Sequence, residues 1–101
     1  MAARHVERGR ITCRDSTSWK DAYCSGRCPW QKHRGTFAKV YDTPPVVLLS
    51  VTWVNKPKTG ALDYFFVALE KVDERGFSMR CEVSEGDTLL GAYVDWISVP
   101  A

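Results

Sequence analysis

The sequence predicts an all-β domain of two packed layers, on three observations. Turn signals recur at regular intervals and cut the chain into short strand-like runs, the pattern of antiparallel sheets. Pro44-Pro45 opens onto Val46-Val47-Leu48-Leu49-Ser50-Val51-Thr52-Trp53, a nearly continuous apolar and β-branched run. Proline has no N–H for a sheet ladder, so the pair marks the strand's start, and apolar residues at both parities read as a strand buried on both faces. Such a strand needs a second layer over it, which points to a sandwich. Helical periodicity is missing throughout; the stretch 16–23 has room for a single helical turn.

Strands are expected near residues 8–13, 36–41, 46–54, 62–72, 76–83 and 92–99. In the first, Ile11 and Cys13 share one face against Arg10 and Thr12, because alternate side chains point to opposite sides. Asn55-Lys56-Pro57-Lys58-Thr59-Gly60 is a turn on composition, and it leads into the fourth strand. There Phe65, Val67 and Leu69 form the core-facing set, leaving Tyr64, Phe66 and Ala68 outward between Asp63 and Glu70. Asp73-Glu74-Arg75-Gly76 closes a hairpin. In the fifth strand Phe77, Met79, Cys81 and Val83 face inward, with Ser78, Arg80 and Glu82 on the other side. Ser84-Glu85-Gly86-Asp87 is a loop before the last strand. An outward Tyr64 and Phe66 on one strand suggest a subunit contact or an aromatic surface; the plainer alternative is two singly exposed aromatics.

The chain of 101 residues reads as one domain over 1–101, with 1–7 as an N-terminal extension expected to be poorly ordered. A hydrophobic content of 45% suffices for a core, but a domain this short buries only about two-thirds of its unfolded surface, so covalent staples help. A net charge of +2 is too slight to imply nucleic acid or an anionic membrane as partner. Arg27, Lys32, His33 and Arg34 read as a solvated basic loop, since no strand of stacking aromatics accompanies them. The chain has no apolar run long enough to span a membrane, and 1–8 lacks the apolar region of a signal peptide. Met1 is taken as an expression start on a mature secreted chain, although a cytosolic protein would look the same. Four cysteines are an even, disulfide-compatible set, and Cys24 and Cys28 flank Ser25-Gly26-Arg27 as a local staple, which places the chain in an oxidising, extracellular setting. A zinc knuckle of Cys24, Cys28 and His33 is the competing reading, but no fourth ligand follows before Cys81. His5 and His33 sit in no nucleophile–base motif, so no enzyme is expected, and no ligand cluster implies calcium or another cofactor.

Gly9-Arg10-Ile11-Thr12-Cys13, Trp19, Phe37, the run from Pro44 to Thr52, Gly76-Phe77, Cys81 and Trp96-Ile97-Ser98-Val99 resemble the H-type lectin domain over residues 8–99. That is the fold of snail agglutinins and of the C-terminal domain of discoidins. The resemblance implies a six-stranded antiparallel β-sandwich with an internal Cys13–Cys81 disulfide. It implies a homotrimer, sometimes paired into a hexamer, with sugar sites along the subunit borders and no cofactor. It also implies binding of N-acetylgalactosamine or galactose and agglutination through multivalency. Tyr64 and Phe66 suit the subunit border.

Three family site positions are occupied differently here. The usual arginine of the fourth strand falls at Tyr64, and the aromatic–histidine pair at Ser84 and Glu85. The glycine–aspartate pair finds Gly26, with Cys28 where the aspartate would stand. A pyranose offers hydroxyls for acceptors and donors and a C–H face for an aromatic ring. Glu85 or Asp87 can accept, Arg27 can donate, and Tyr64 or Trp30 can stack, so the candidate sugar contacts are Gly26, Arg27, Tyr64, Ser84, Glu85 and Asp87. The bland alternatives are solvated loop charges for Glu85 and Asp87, a loop anchor for Trp30 and an interface role for Tyr64. Asp42-Thr43 replaces the cysteine that links trimers in some members, so any hexamer would be non-covalent. The expected function is a secreted, multivalent lectin for N-acetylgalactosamine, galactose or a different sugar. The alternative is a lectin scaffold that has lost sugar binding and serves as a structural or protein-interaction subunit.

Overall fold

A computed structural model of the chain describes residues 5–60 and 62–101. In order it contains β1 (Glu7–Cys13), a 3-10 turn (Ser16–Ser18), β2 (Trp30–Thr36), β3 (Val46–Asn55), β4 (Phe65–Val72), β5 (Gly76–Val83) and β6 (Gly91–Val99). The strands form two antiparallel three-stranded sheets, β1-β6-β3 and β2-β5-β4. The central strands β5 and β6 carry most of the core: Phe77, Met79, Cys81 and Val83 face Ala92, Val94 and Trp96, with Ile11 and Cys13 of β1 beside them. The inward parities expected for β1 and β5 are the ones observed. Cys13 is bonded to Cys81, joining β1 of one sheet to β5 of the other, and Cys24 is bonded to Cys28. Both sulfurs of that second pair are therefore committed to each other, which removes the zinc alternative.

Three strand expectations need correction. The second strand lies at Trp30–Thr36, not at 36–41. Its residues Gln31-Lys32-His33-Arg34 lack any β-branched or aliphatic side chain, and the pairing with β5 overrides their weak intrinsic preference. Hence they are not a basic loop; His33 faces Met79 across the ladder, half-buried, and burial followed by the charge of Arg14 pushes its pKa below the ordinary value. Phe37 and Tyr41, whose apolarity suggested the strand, are instead buried plugs of the next loop, tied to β4–β5 by Phe37 N–H to Arg75 O (2.9 Å) and Tyr41 N–H to Glu74 O (3.0 Å).

The run 46–54 is a strand, but within one chain it is not buried on both faces. Val47 is buried and Leu49 half-buried, whereas Leu48 is 58% exposed and Val46, Val51, Trp53 and Val54 are also exposed. The reason is topological: β3 is an edge strand, and the second sheet covers only part of one of its faces. In β4, Leu69 stands opposite Met79 in register yet is exposed, because β4 is the other sheet's edge and a bulge between Leu69 and Lys71 passes the inward role to Val72. That strand also begins at Phe65, later than expected.

Of the expected extension 1–7, residues 1–4 lie outside the described residues. His5 stacks on Tyr41 (ring centroids 4.1 Å apart), and the Glu7 carboxylate accepts the N–H groups of Ala38 (2.6 Å) and Lys39 (3.0 Å). The antiparallel registers bring the ends of β1, β3 and β5 and the starts of β2, β4 and β6 to the same end of the sandwich. Three loops, 14–29, 56–64 and 84–90, therefore gather there.

Candidate functional site

The loop end is organised around Ser84. Its N–H donates to Tyr64 O (3.2 Å), adding one rung beyond the β4–β5 ladder. Its hydroxyl accepts the N–H groups of Asp63 (3.1 Å) and Tyr64 (3.3 Å) and donates to the Asp87 carboxylate. Asp87 Oδ2 also accepts the Asp63 N–H at 2.9 Å. Gly86, at φ +82°, supplies the left-handed residue that lets Asp87 N–H turn back to Ser84 O at 3.0 Å. The Asp87 carboxyl is held below its ordinary pKa first by the Ser84 hydroxyl, then by the Asp63 amide and the positive charge of Arg27. It is a fixed, ionised acceptor at neutral pH.

Arg27 enters from the first long loop. Its guanidinium donates to Ser16 Oγ at 3.1 Å. Ser16 is itself buried and bound to the last loop, accepting Leu89 N–H on Oγ (2.9 Å) and donating its own N–H to Leu89 O (2.8 Å). Cys28 is fully buried and donates its N–H to Trp19 O (3.0 Å), so the Cys24–Cys28 staple anchors the segment that carries Gly26 and Arg27. Gly26 takes φ +102° at the exposed tip of that segment. Trp30 donates its indole N–H to Asp21 (3.4 Å) and packs against the core, which is the loop-anchor geometry.

The fold thus brings Ser84, Asp87 and Tyr64 together and sets the charge of Arg27 near them. Glu85 and Gly26 stand exposed at two loop tips. Ser84 is only 6% exposed and its hydroxyl is fully engaged, so its place is behind the surface, positioning Asp87 and Tyr64. Tyr64 and Phe66 are both exposed and stack with ring centroids 5.7 Å apart. Asp63 was missed as a participant; the Ser84-x-x-Asp87 spacing, a turn that leaves side-chain acceptors free for a neighbouring backbone, was the available signal.

A second surface feature lies on the outward face of β1-β6-β3. A groove of about 710 Å³ runs between Arg8, Arg10, Leu48, Ser50, Asp95 and Ile97. Arg10 forks onto Asp95 (2.7 and 3.2 Å), and its guanidinium lies 4.4 Å from the centre of the Tyr93 ring, which meets Trp53 at 4.7 Å. Among the described residues no group of His, Cys, Asp and Glu is arranged to hold a metal ion. Nor is any helix long and apolar enough to cross a membrane.

Two antiparallel three-stranded sheets joined by a disulfide define a small, stapled β-sandwich module. The family model for the H-type lectin domain matches residues 32–99, and the chain belongs to that family. No curated protein matches the chain. Membership carries carbohydrate binding at the level of the family, whose domains are generally non-catalytic. The match begins inside β2, so β1 and the loop bearing Gly26 and Arg27 lie before it.

Proposed function

We propose that this protein is a secreted, non-catalytic lectin that works as a homotrimer and reads terminal sugars at the loop end of the sandwich. The observation that carries the reading is the family match across residues 32–99. Sugar contacts are assigned to Asp87 and Glu85 as hydroxyl acceptors, Arg27 as donor, Tyr64 as the stacking platform, and Gly26 and Ser84 as the groups that shape the loops. Because Tyr64, Ser84 and Glu85 occupy the family's arginine and aromatic–histidine positions, the specificity departs from N-acetylgalactosamine or galactose toward a different sugar. Each site is shallow, of millimolar affinity or about 4 kcal/mol, and useful binding comes from avidity.

Trimer formation is supported by the apolar surface one chain leaves open: Leu48, Val51, Trp53 and Val54 on β3, and Tyr64, Phe66 and Leu69 at and beside β4. Asp42-Thr43 before the proline pair supplies no thiol for a link between trimers, so a hexamer would be held without covalent bonds. The disulfides and the family together support an extracellular setting.

The second reading, a scaffold without sugar binding, is favoured by one observation: the Ser84 hydroxyl is spent inside the loop network rather than presented. A glycan array probed with the assembled, disulfide-intact protein separates the two. Binding to a defined terminal sugar, lost in Asp87→Asn and Arg27→Ala, is the expected result. A blank array from a protein of trimeric mass would sink the lectin reading and leave the scaffold.

A further inference from the structure

We infer that the outward face of β2-β5-β4 carries a second sugar site, a cleft walled by Trp30, Lys32, Glu70, Arg80 and Glu82 that takes one uncharged pyranose residue. The inference goes beyond the loop-end reading and uses none of its residues. The ladder builds the cleft: Trp30 pairs with Glu82 and Lys32 with Arg80, and cross-strand partners share a face. Arg80 and Glu82 alternate with the inward Met79, Cys81 and Val83, so that face is the outward one. Glu70 joins them from the β4 bulge, where its carboxylate meets Arg80 at 3.5 Å. The cleft encloses about 320 Å³, at the small end of ligand pockets and of a size for a single sugar ring.

Each wall supplies one part of what a pyranose needs. The half-buried Trp30 indole donates its N–H to Asp21 (3.4 Å), so the ring is held by its edge and its exposed part is a fixed platform for a C–H face. Arg80 Nε donates to Glu82 (3.0 Å) while Nη1 faces Glu70, which fixes both carboxylates and leaves each with acceptor capacity for a hydroxyl. The side chains of Arg80, Glu70 and Glu82 are 34, 30 and 21% exposed, and partial exclusion of water strengthens the hydrogen bonds they make. Lys32 is not spent. Among the described residues no carboxylate lies within ion-pair distance of its ammonium, and Asp21 acts on it only at longer range. Two cations and two carboxylates cancel, so the cleft has no net charge to select an anionic sugar; acceptors beside a donor suit neighbouring neutral hydroxyls, which give and take hydrogen bonds together. An ion network serving the sheet alone accounts for Arg80 and its two carboxylates. It does not account for an unspent ammonium and an oriented indole on the same cleft.

The test is a residue-resolved NMR titration of the disulfide-intact protein with the methyl glycosides of galactose, glucose, mannose and N-acetylglucosamine, and with N-acetylneuraminic acid as the charged control. At least one neutral glycoside should shift the Trp30 indole N–H and the Lys32 and Glu82 amides in a saturable, millimolar titration. Asp87→Asn, which alters the loop end, should leave that titration unchanged. Lys32→Met keeps the aliphatic stem at an exposed position and leaves the Arg80 ion pairs intact; it should weaken cleft binding about 10-fold, the scale of one charge-assisted hydrogen bond. Glu82→Gln should weaken it to a similar extent. Shifts confined to the loop end overturn the cleft and leave the lectin reading standing. A cleft that responds while the loop end stays silent supports this inference and counts against the loop-end reading. Cleft shifts that both Lys32→Met and Glu82→Gln leave unaltered, or that only N-acetylneuraminic acid produces, overturn the assignment. No response to any of the five sugars overturns it as well, and returns the cleft to a structural ion network.

Discussion

Replacing Cys13 and Cys81 together by alanine removes the covalent link between the two sheets, and its cost follows from the chain between them. The cysteines are 68 residues apart. Closing a loop of that length lowers the entropy of the unfolded chain by about 15 cal/mol/K, so the link contributes about 4 kcal/mol at 25 °C in the chain-entropy model. The Cys24–Cys28 link spans a separation of only 4, which gives about 2 kcal/mol in the same model. Against a total stability of about 5–15 kcal/mol, losing the long link consumes a large share, whereas losing the short one is tolerable. The midpoint of thermal unfolding should fall by roughly 16–30 °C for the long link. Both cysteines are fully buried, so the truncated side chains add to the loss rather than offset it. The assay is urea unfolding followed by tryptophan fluorescence, comparing Cys13→Ala/Cys81→Ala with Cys24→Ala/Cys28→Ala. The slope with denaturant should rise for the first pair, because its unfolded state is freed to expand. A loss for the long link no larger than for the short one would refute the reasoning, since loop length would then not govern the stabilisation.

Two further outcomes are expected. A Cβ at Gly76 would lie 2.3 Å from the carbonyl oxygen of Gly35. Backbone must then yield to backbone, so Gly76→Ala should cost about 1–3 kcal/mol, and an unchanged melting midpoint would show slack between β2 and β5. The lowered pKa of Asp87 makes the loop end acid-sensitive: its contribution is complete above the unfolded carboxylate value of about 4 and is lost as pH falls through the lower folded value. Protection of the Asp63 and Tyr64 amides, measured relative to their intrinsic exchange rate at each pH, should drop across that window, and Asp87→Asn should flatten the dependence; protection that ignores pH would show that Ser84 alone holds the loop.

Much of the fold is legible residue by residue. In β1 and β5 the period-two alternation is clean, so the inward set and the facing of Cys13 and Cys81 can be read locally. β2 is not legible, because a polar edge strand made of Gln31-Lys32-His33-Arg34 owes its conformation to its neighbour rather than to its own side chains. At the loop end, residue type alone marks Arg27, Asp87 and Tyr64 as groups that can meet a sugar. It does not show that Ser84 lies behind the surface, or that Asp63 completes its network through a backbone N–H contributed from 21 residues away.

By itself the sequence determined that this protein is all-β, where most strands lie, which faces of β1 and β5 turn inward, and that it belongs with the H-type lectins. The first three follow from short-range periodicity and turn chemistry, which each segment carries within itself, and the last from the resemblance of its motifs to that family. Only the tertiary structure decided that β3 and β4 are edges, that β3 is left half-uncovered, and that three separate loops meet around Ser84. Whether a strand is central or peripheral depends on what pairs beside it and what packs above it, and those partners are contributed by distant parts of the chain.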